Sequence, residues 1–340
     1  MTRSHAHKIS GCRPPRLART LHAAAILLAV VHPAFSLAAD SPQAYPDRPV
    51  RMIVPFAPGG GSDIVGRILA RGLSETWGQA VVVDNRPGAG STVGTAIAAK
   101  AAGDGYSVLV SSSAVAFSPS LYKNLAFDIR RDFRPISLLA RQPSMLVVAQ
   151  SVKAATVPQL IELAKAQPGK LTYGSAGVGS ATHLGGELLR TSAKVELVHV
   201  PYKSAGLAMS ALLAGEIQVL VTNMATVLPH VKAGRVRSLG ISSAGRSALA
   251  PEIPTVEEGG LPGFEYDTWY AMLIPATASD AIVRRLHRDV DEVLKKPAIQ
   301  RQLTNQGIAI VASSPQALGA YLAAEMKKWA EIIGAAGVKS

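Results

Sequence analysis

The chain has 340 residues, with 35 Lys+Arg against 23 Asp+Glu and one cysteine, so its formal charge is +12. That length suits one large domain or two medium ones, and a single cysteine excludes both an internal disulfide framework and a cysteine-based zinc site. Charged residues are only 17% of the chain, which excludes a disordered polyelectrolyte; the positive excess leaves nucleic acid, a membrane surface or an anionic small molecule as partners.

Residues 1–20 hold Arg3, Lys8, Arg13, Arg16 and Arg19 and no acid. Residues 21–31 are apolar, and Ser36-Leu37-Ala38 and Leu37-Ala38-Ala39 offer small-residue cleavage sites. A basic start, a short apolar run and a small-residue exit predict a secretory signal peptide over 1–39. The apolar run is broken by His32-Pro33 and is short for a bilayer core of about 30 Å. Cys12 precedes it, where a lipid-anchor cysteine would follow it. Without the leader's five basic residues the charge falls from +12 to +7, and no cysteine remains. The remaining histidines are His183, His199, His230 and His287, none within helical spacing of another, so neither a metal nor a cofactor is expected. The mature protein is expected to be exported and soluble.

Downstream, strands and helices alternate. A strand over 50–56 runs into Pro58-Gly59-Gly60-Gly61, and Ser62 opens a helix with Val65, Leu69 and Leu73 on one face. A strand over 79–84, a small-residue helix over 92–101 and a strand over 106–111 follow. The pattern repeats with strands at 146–149, 171–174, 196–200, 217–221 and 236–241. Helices are expected at 157–166, from Ser180, at 205–214 and at 228–233. A Pro/Gly-rich connector covers 250–263, and the last seventy residues hold helices at 280–295 and 315–335 with a short strand near 308–311. This alternation implies an α/β fold with mostly parallel sheets. Two similar blocks imply two lobes, with the C-terminal helices returning to the first.

Three glycine turns stand out: 56–63, 87–94 and 174–183. A strand, glycines and a helix N-terminus make an anion site, because unpaired N–H groups and the positive dipole end face the ligand. None of the three reads as a P-loop or as G-x-G-x-x-G. The plainer alternative is an ordinary tight turn at each, but matched units in two blocks argue for a shared ligand. One helix terminus contributes at most about 2 kcal/mol to an anion, whereas a micromolar site needs about 8 kcal/mol. Several donors must therefore converge, as a cleft between two lobes allows. Asp63 would repel an anion and is expected to hold its own loop through backbone N–H groups.

Catalytic patterns are weaker. Ser175 lacks the G-x-S-x-G spacing of a nucleophile elbow. Ser180 and His183 sit at i and i+3, as a nucleophile and base would, or as a histidine packed against its own helix cap. Basic residues are interspersed with acids, as in Arg130-Arg131-Asp132, so no basic stripe for nucleic acid exists.

The chain resembles the solute-binding proteins of tripartite tricarboxylate transporters, the Bug family. The resemblance rests on Tyr45-Pro46-Asp47-Arg48-Pro49, on Val54 to Asp63, and on Asn85-Arg86-Pro87-Gly88-Ala89-Gly90. It continues in Gly174 to Ser180, His199-Val200-Pro201-Tyr202-Lys203, Pro254-Thr255-Val256-Glu257-Glu258 and Trp269-Tyr270. It implies a two-lobed type II periplasmic-binding-protein fold, each lobe a mainly parallel sheet flanked by helices. The first lobe would be 40–140 plus 267–340 and the second 141–266, with crossovers near Ala140 and Tyr266. It also implies a receptor that closes on a small carboxylate and delivers it to a transmembrane permease. The implied ligand contacts are Phe56, Ala57, Gly60, Ser62 and Asp63 from the first loop. From the second they are Ser175, Ala176, Gly177, Gly179, Ser180 and His183, with Ser113 and Asn223 just past strand ends. Ser91 stands where the family usually has a glycine, and Ser204 and Leu207 replace its usual glycine and proline. The expected function is a monomeric carboxylate receptor with no chemistry of its own. The alternatives are a secreted hydrolase using Ser180 or Ser175 with His183, and a sensory binding protein for a membrane kinase.

Overall fold

The computed structural model describes residues 45–336, so the leader expected over 1–39 lies outside the described residues. The chain opens with strand β1 (Val50–Val54), helix α1 (Gly61–Trp77) and strand β2 (Val81–Asn85). A short 3-10 turn (Ala89–Ser91) leads into α2 (Thr92–Ala99), β3 (Ser107–Ser112) and α3 (Ala114–Leu121). The long strand β4 (Phe133–Ala149) follows, then α4 (Val157–Ala166), β5 (Thr172–Ser175), α5 (Ala181–Ala193) and β6 (Val198–Pro201). Next come α6 (Ala205–Ala214), β7 (Val219–Asn223), α7 (Met224–Lys232) and β8 (Val236–Ile241). The chain returns through β9 (Asp267–Pro275), α8 (Asp280–Lys295), α9 (Pro297–Thr304), β10 (Ala309–Ile310) and α10 (Pro315–Ala336).

The strands are ordered β2-β1-β3-β9-β4-β7-β5-β6, with β8 and β10 also on β4. β1 is parallel to β2 and β3, and β5 is parallel to β6 and β7. The strands β4 and β9 run antiparallel to their neighbours. β4 is shared by two sets of partners: Phe133 to Pro143 pairs with β9, and Ser144 to Val148 pairs with β7. β1 is the middle strand of its parallel trio and is buried, so it reads as the nearly continuous apolar run Val-Arg-Met-Ile-Val, whereas the edge strands β2 and β6 stay partly exposed.

Five elements differ from the sequence expectation. β4 begins thirteen residues before the expected 146–149, at Phe133. Pro135 and Pro143 make that stretch read as broken. Pro135 falls at a register shift against β9, where a missing N–H is tolerated. β9 is a strand absent from the expected set, although Thr268 to Pro275 is buried throughout. α7 starts at Met224, four residues early, because Asn223 caps it by accepting from Thr226 N. α3 and α9 are also additional to the expected set.

Each half has its own apolar core. In the first, Met52, Val65, Leu69 and Leu73 pack against Val283, Leu286, Val290 and Val293 of α8. α10 adds Leu318, Leu322 and Trp329 against Phe117, Leu138 and Trp269. In the second, Leu146 to Val148 pack against Tyr173, Val219 to Val221 and Leu212. Among the described residues no helix is long and apolar enough to cross a membrane.

Candidate functional site

The two halves meet around a small cavity of about 30 Å³. Its lining is built from helix beginnings: Gly60, Gly61 and Ser62 at α1; Ser180, Ala181 and Thr182 at α5; Ala205 at α6; and Asn223, the cap of α7. Phe56, Ser112, Ala176, Thr268 and Tyr270 complete it. Among the described residues, no charged side chain lines it. Four helix N-termini therefore turn their partial positive charge and first-turn N–H groups toward one space.

The four ends are not equivalent. Ser180 Oγ accepts from His183 N at 3.2 Å, and Ser204 Oγ accepts from Leu207 N at 3.2 Å. Asn223 Oδ1 accepts from Thr226 N at 3.3 Å and Thr226 Oγ1 at 2.5 Å. α1 instead begins after Gly60, which has no side chain to cap it. Its first-turn N–H groups thus have no side-chain cap. Asn223 is fixed further, since its Nδ2 donates to Tyr270 Oη at 3.1 Å and Tyr270 donates to Gln142 Oε1 at 2.9 Å. Burial raises the Tyr270 phenol well above its ordinary range, so it stays neutral. A Cβ on Gly61 would overlap both Tyr270 Oη and Asn223 Nδ2, so this helix begins on a residue without a side chain. Phe56, Ala114, Ala176 and Ala205 form a small apolar wall that spans both halves.

The expected residues divide between lining and support. Phe56, Gly60, Ser62, Ala176, Ser180 and Asn223 line the cavity. Asp63 lies behind the first loop. Its carboxylate accepts from Gly59 N at 3.1 Å, Arg67 Nε at 3.0 Å and Asn85 Nδ2 at 3.0 Å. Ala57 N donates to Lys203 O at 3.3 Å, which joins the first loop to the other half. Ser113 is fully buried at the start of α3. Gly177 lies in a neighbouring surface cavity with Gly88, Ala89, Tyr122 and Lys203. Ser175, Gly179 and His183 form the rear of the second loop.

That rear is a compact polar cluster. Ser175 Oγ is 2.6 Å from His199 Nε2 and accepts from Gly177 N at 3.0 Å. His183 Nδ1 accepts from Gly179 N at 3.2 Å. The rings of His183 and His199 lie 4.2 Å apart between centroids, and Tyr173 stacks on His199 at 4.9 Å. Tyr173 Oη donates to Glu187 Oε1 at 2.5 Å, and Arg190 holds the other Glu187 oxygen at 2.7 Å. Burial pushes the Glu187 carboxyl up, but bonds from Arg190 and Tyr173 outweigh it and leave it below its ordinary range. Burial lowers both imidazoles, His199 to about 4 with help from His183. The rings are therefore neutral near pH 7.

Around the cavity the halves touch directly, through side chains as well as backbone. Tyr122 Oη donates to Val178 O at 2.6 Å, and Ser204 Oγ donates to Pro58 O at 3.4 Å. Gly90 lies so close to Val178 that a Cβ there would overlap its carbonyl oxygen.

Sequence reasoning missed Gly61, Ser112, Ala181, Thr182, Ala205, Thr268 and Tyr270 as lining residues. Ser204 before an apolar helix is a readable cap signal for Ala205. Thr268 and Tyr270 sit on β9, whose apolar run Trp269 to Ile274 ending at Pro275 is the available signal, that of a fully buried strand.

A family model described as the tripartite tricarboxylate transporter family receptor matches residues 65–338. The chain is 36% identical over 327 residues to BugT of Bordetella pertussis, covering 95% of this chain and 99% of that one. The periplasmic binding protein BugD superposes with TM-score 0.85 at 33% identity, over 87% of this chain and all of that one. A Rhodopseudomonas palustris protein with adipate gives TM-score 0.84 at 31% identity, over 87% of this chain and 100% of that one. MatC of the same species, with bound malate, gives 0.82 at 27%, over 85% and 100%. These likenesses run over nearly all of the described residues, and the chain belongs to the tripartite tricarboxylate transporter receptor family, with the two-lobed fold of its periplasmic binding proteins.

Proposed function

We propose that this protein is an exported periplasmic receptor that closes two lobes, 40–140 plus 267–340 and 141–266, on a small carboxylate. The observation that carries the reading is the uncharged cavity at four helix N-termini. Oriented N–H groups satisfy a carboxylate without a lysine or arginine, and a closed cleft keeps water from screening them. The adipate and malate bound by structural relatives have the same chemistry. Serine, threonine and asparagine side chains add donors, while Phe56, Ala176 and Ala205 hold a short carbon chain. The receptor then hands the solute to a transmembrane permease, and it works as a monomer.

The hydrolase reading finds less support. Ser180 Oγ caps its helix and bonds Thr182 Oγ1 at 3.1 Å, with no bond to the His183 ring. Ser175 does meet a histidine, His199, but it is fully buried and lies behind the cavity. The receptor reading is tested by calorimetry on protein purified after export, with malate, adipate, citrate and acidic amino acids. Micromolar binding of at least one carboxylate is expected; inertness toward all of them would sink it.

A further inference from the structure

The histidine cluster behind the second loop does not itself line the cavity; its chain neighbours Ala176, Ser180 and Thr182 do. Resting on the receptor reading above, we propose that His183 and His199 are positioning residues. They hold the Gly177–Ser180 loop in its ligand-binding shape only while both rings are neutral.

The argument begins with donors and acceptors. His183 Nδ1 accepts the Gly179 N–H at 3.2 Å, so that nitrogen carries a lone pair and the ring proton is on Nε2. A second proton can be added only at Nδ1. There it would face the Gly179 N–H donor, and the bond would become a donor–donor contact. His199 acts one step further back. Ser175 Oγ accepts from Gly177 N at 3.0 Å and lies 2.6 Å from His199 Nε2; with His199 in its Nδ1–H tautomer, that ring nitrogen accepts the Ser175 hydroxyl proton. A proton at His199 Nε2 would leave the buried Ser175 hydroxyl proton without that acceptor. Gly177 and Gly179 both have positive φ, 105° and 79°, so their amides point where they do only in this loop conformation. The loop ends in Ser180, which lines the cavity and opens α5. Releasing the two glycine amides frees that helix end from the site.

The surroundings offer a proton on either ring little compensation. From α5, Glu187 is the carboxylate that acts on the pair, and it is already engaged by Arg190 and Tyr173. Arg190 from the same helix opposes a charge on His183, and from β5 Tyr173 presents its ring face to His199. Two charged rings with centroids 4.2 Å apart would repel each other. Both depressed rings bind fewer protons folded than unfolded between the ordinary histidine value of about 6.5 and their own. The neutral arrangement thus loses stability as pH falls below about 6.5, down to about 4, where His199 protonates in place.

The test measures amide protection at Gly177 and Gly179 in ¹⁵N-labelled protein without ligand from pH 7.5 to 4, normalised for intrinsic exchange. Malate and adipate titrations follow over the same range. In wild type, protection at Gly179 is expected to fall by up to about tenfold per pH unit once His183 takes its proton. His183→Asn supplies an amide oxygen near the Nδ1 position and does not titrate; it should keep Gly179 protected at pH 5. His183→Phe keeps the ring stack without an acceptor and should lack that protection at every pH. His199→Gln should weaken only the acid sensitivity at Gly177. The ratio of wild-type to His183→Asn affinity, which cancels the ligands' own titration, should fall with acidification. Protection at Gly179 that is the same at pH 7.5 and 5 in wild type, or that falls equally in His183→Asn, would overturn the proposal. Protection that follows His183 while no carboxylate binds at any pH would overturn the receptor reading and leave the loop assignment standing.

Discussion

Ser91 shows how a single residue departs from its surroundings. Its φ is +97°, in the left-handed region, and it is buried with no partner for its Oγ. An L side chain there costs about 1–2 kcal/mol, which glycine avoids. Ser91→Gly is therefore expected to stabilise the protein by about 1 kcal/mol, read as a rise of about 2–4 °C in thermal unfolding. An unchanged or lower midpoint would show that Ser91 is held by something other than backbone preference. Asn223 makes the complementary case. Asn223→Asp keeps an oxygen that caps α7 but replaces the amide beside Tyr270 with a second carboxylate oxygen. A like charge about 4 Å from a bound carboxylate costs about 4 kcal/mol at an effective dielectric of 20. Carboxylate affinity should fall by about a thousandfold with the folded far-UV spectrum retained. Undiminished affinity for malate and adipate would remove Asn223 from the ligand's surroundings.

At the scale of elements, the sequence announces those whose signal is local. The strand–glycine–helix units at 56–63 and 174–183 are readable because glycines and caps are punctuation. So is Asp63, whose carboxylate holds its own loop. β9 is less so, because a buried run with aromatic and small residues fits no amphipathic period, and its partners β3 and β4 lie far away in sequence. With β9 go Tyr270 and Thr268. His199 is hidden for the same reason, since its role depends on Ser175 across a parallel strand pair. The start of α1 carries a prediction at this scale. A Cβ at Gly61 would overlap Tyr270 and Asn223 together, one partner from each half. Gly61→Ala is expected to cost about 1–3 kcal/mol of stability through overpacking. It should also abolish measurable carboxylate binding in calorimetry, because the uncapped helix end must move away. Binding within threefold of wild type would mean that this end does not serve the site.

Across the whole molecule, the cavity exists because the halves meet, and at several glycines they approach to backbone distance. Gly90 stands against Val178 and Gly179, Gly206 against Gly59, and Tyr122 reaches Val178 O. Glycine at such contacts lets two loops approach to backbone distance, which puts every helix end within reach of one small solute. Gly90→Ala tests this dependence, and it brings two effects that must be separated. Its φ is 58°, so alanine adds backbone strain of about 1 kcal/mol wherever the halves are. Its Cβ also overlaps Val178 O, but only when the halves touch. Gly78 supplies the control, since it ends α1 with a φ of 64° and has nothing within 4 Å of the position a Cβ would take. Gly78→Ala should lower the unfolding temperature by a few degrees and leave carboxylate affinity intact. Gly90→Ala should show a similar thermal loss, at least a hundredfold weaker binding, and a larger radius of gyration by small-angle scattering in the presence of malate or adipate. Equal affinity in the two variants would mean that contact at Gly90 is not required for the receptor to hold its solute.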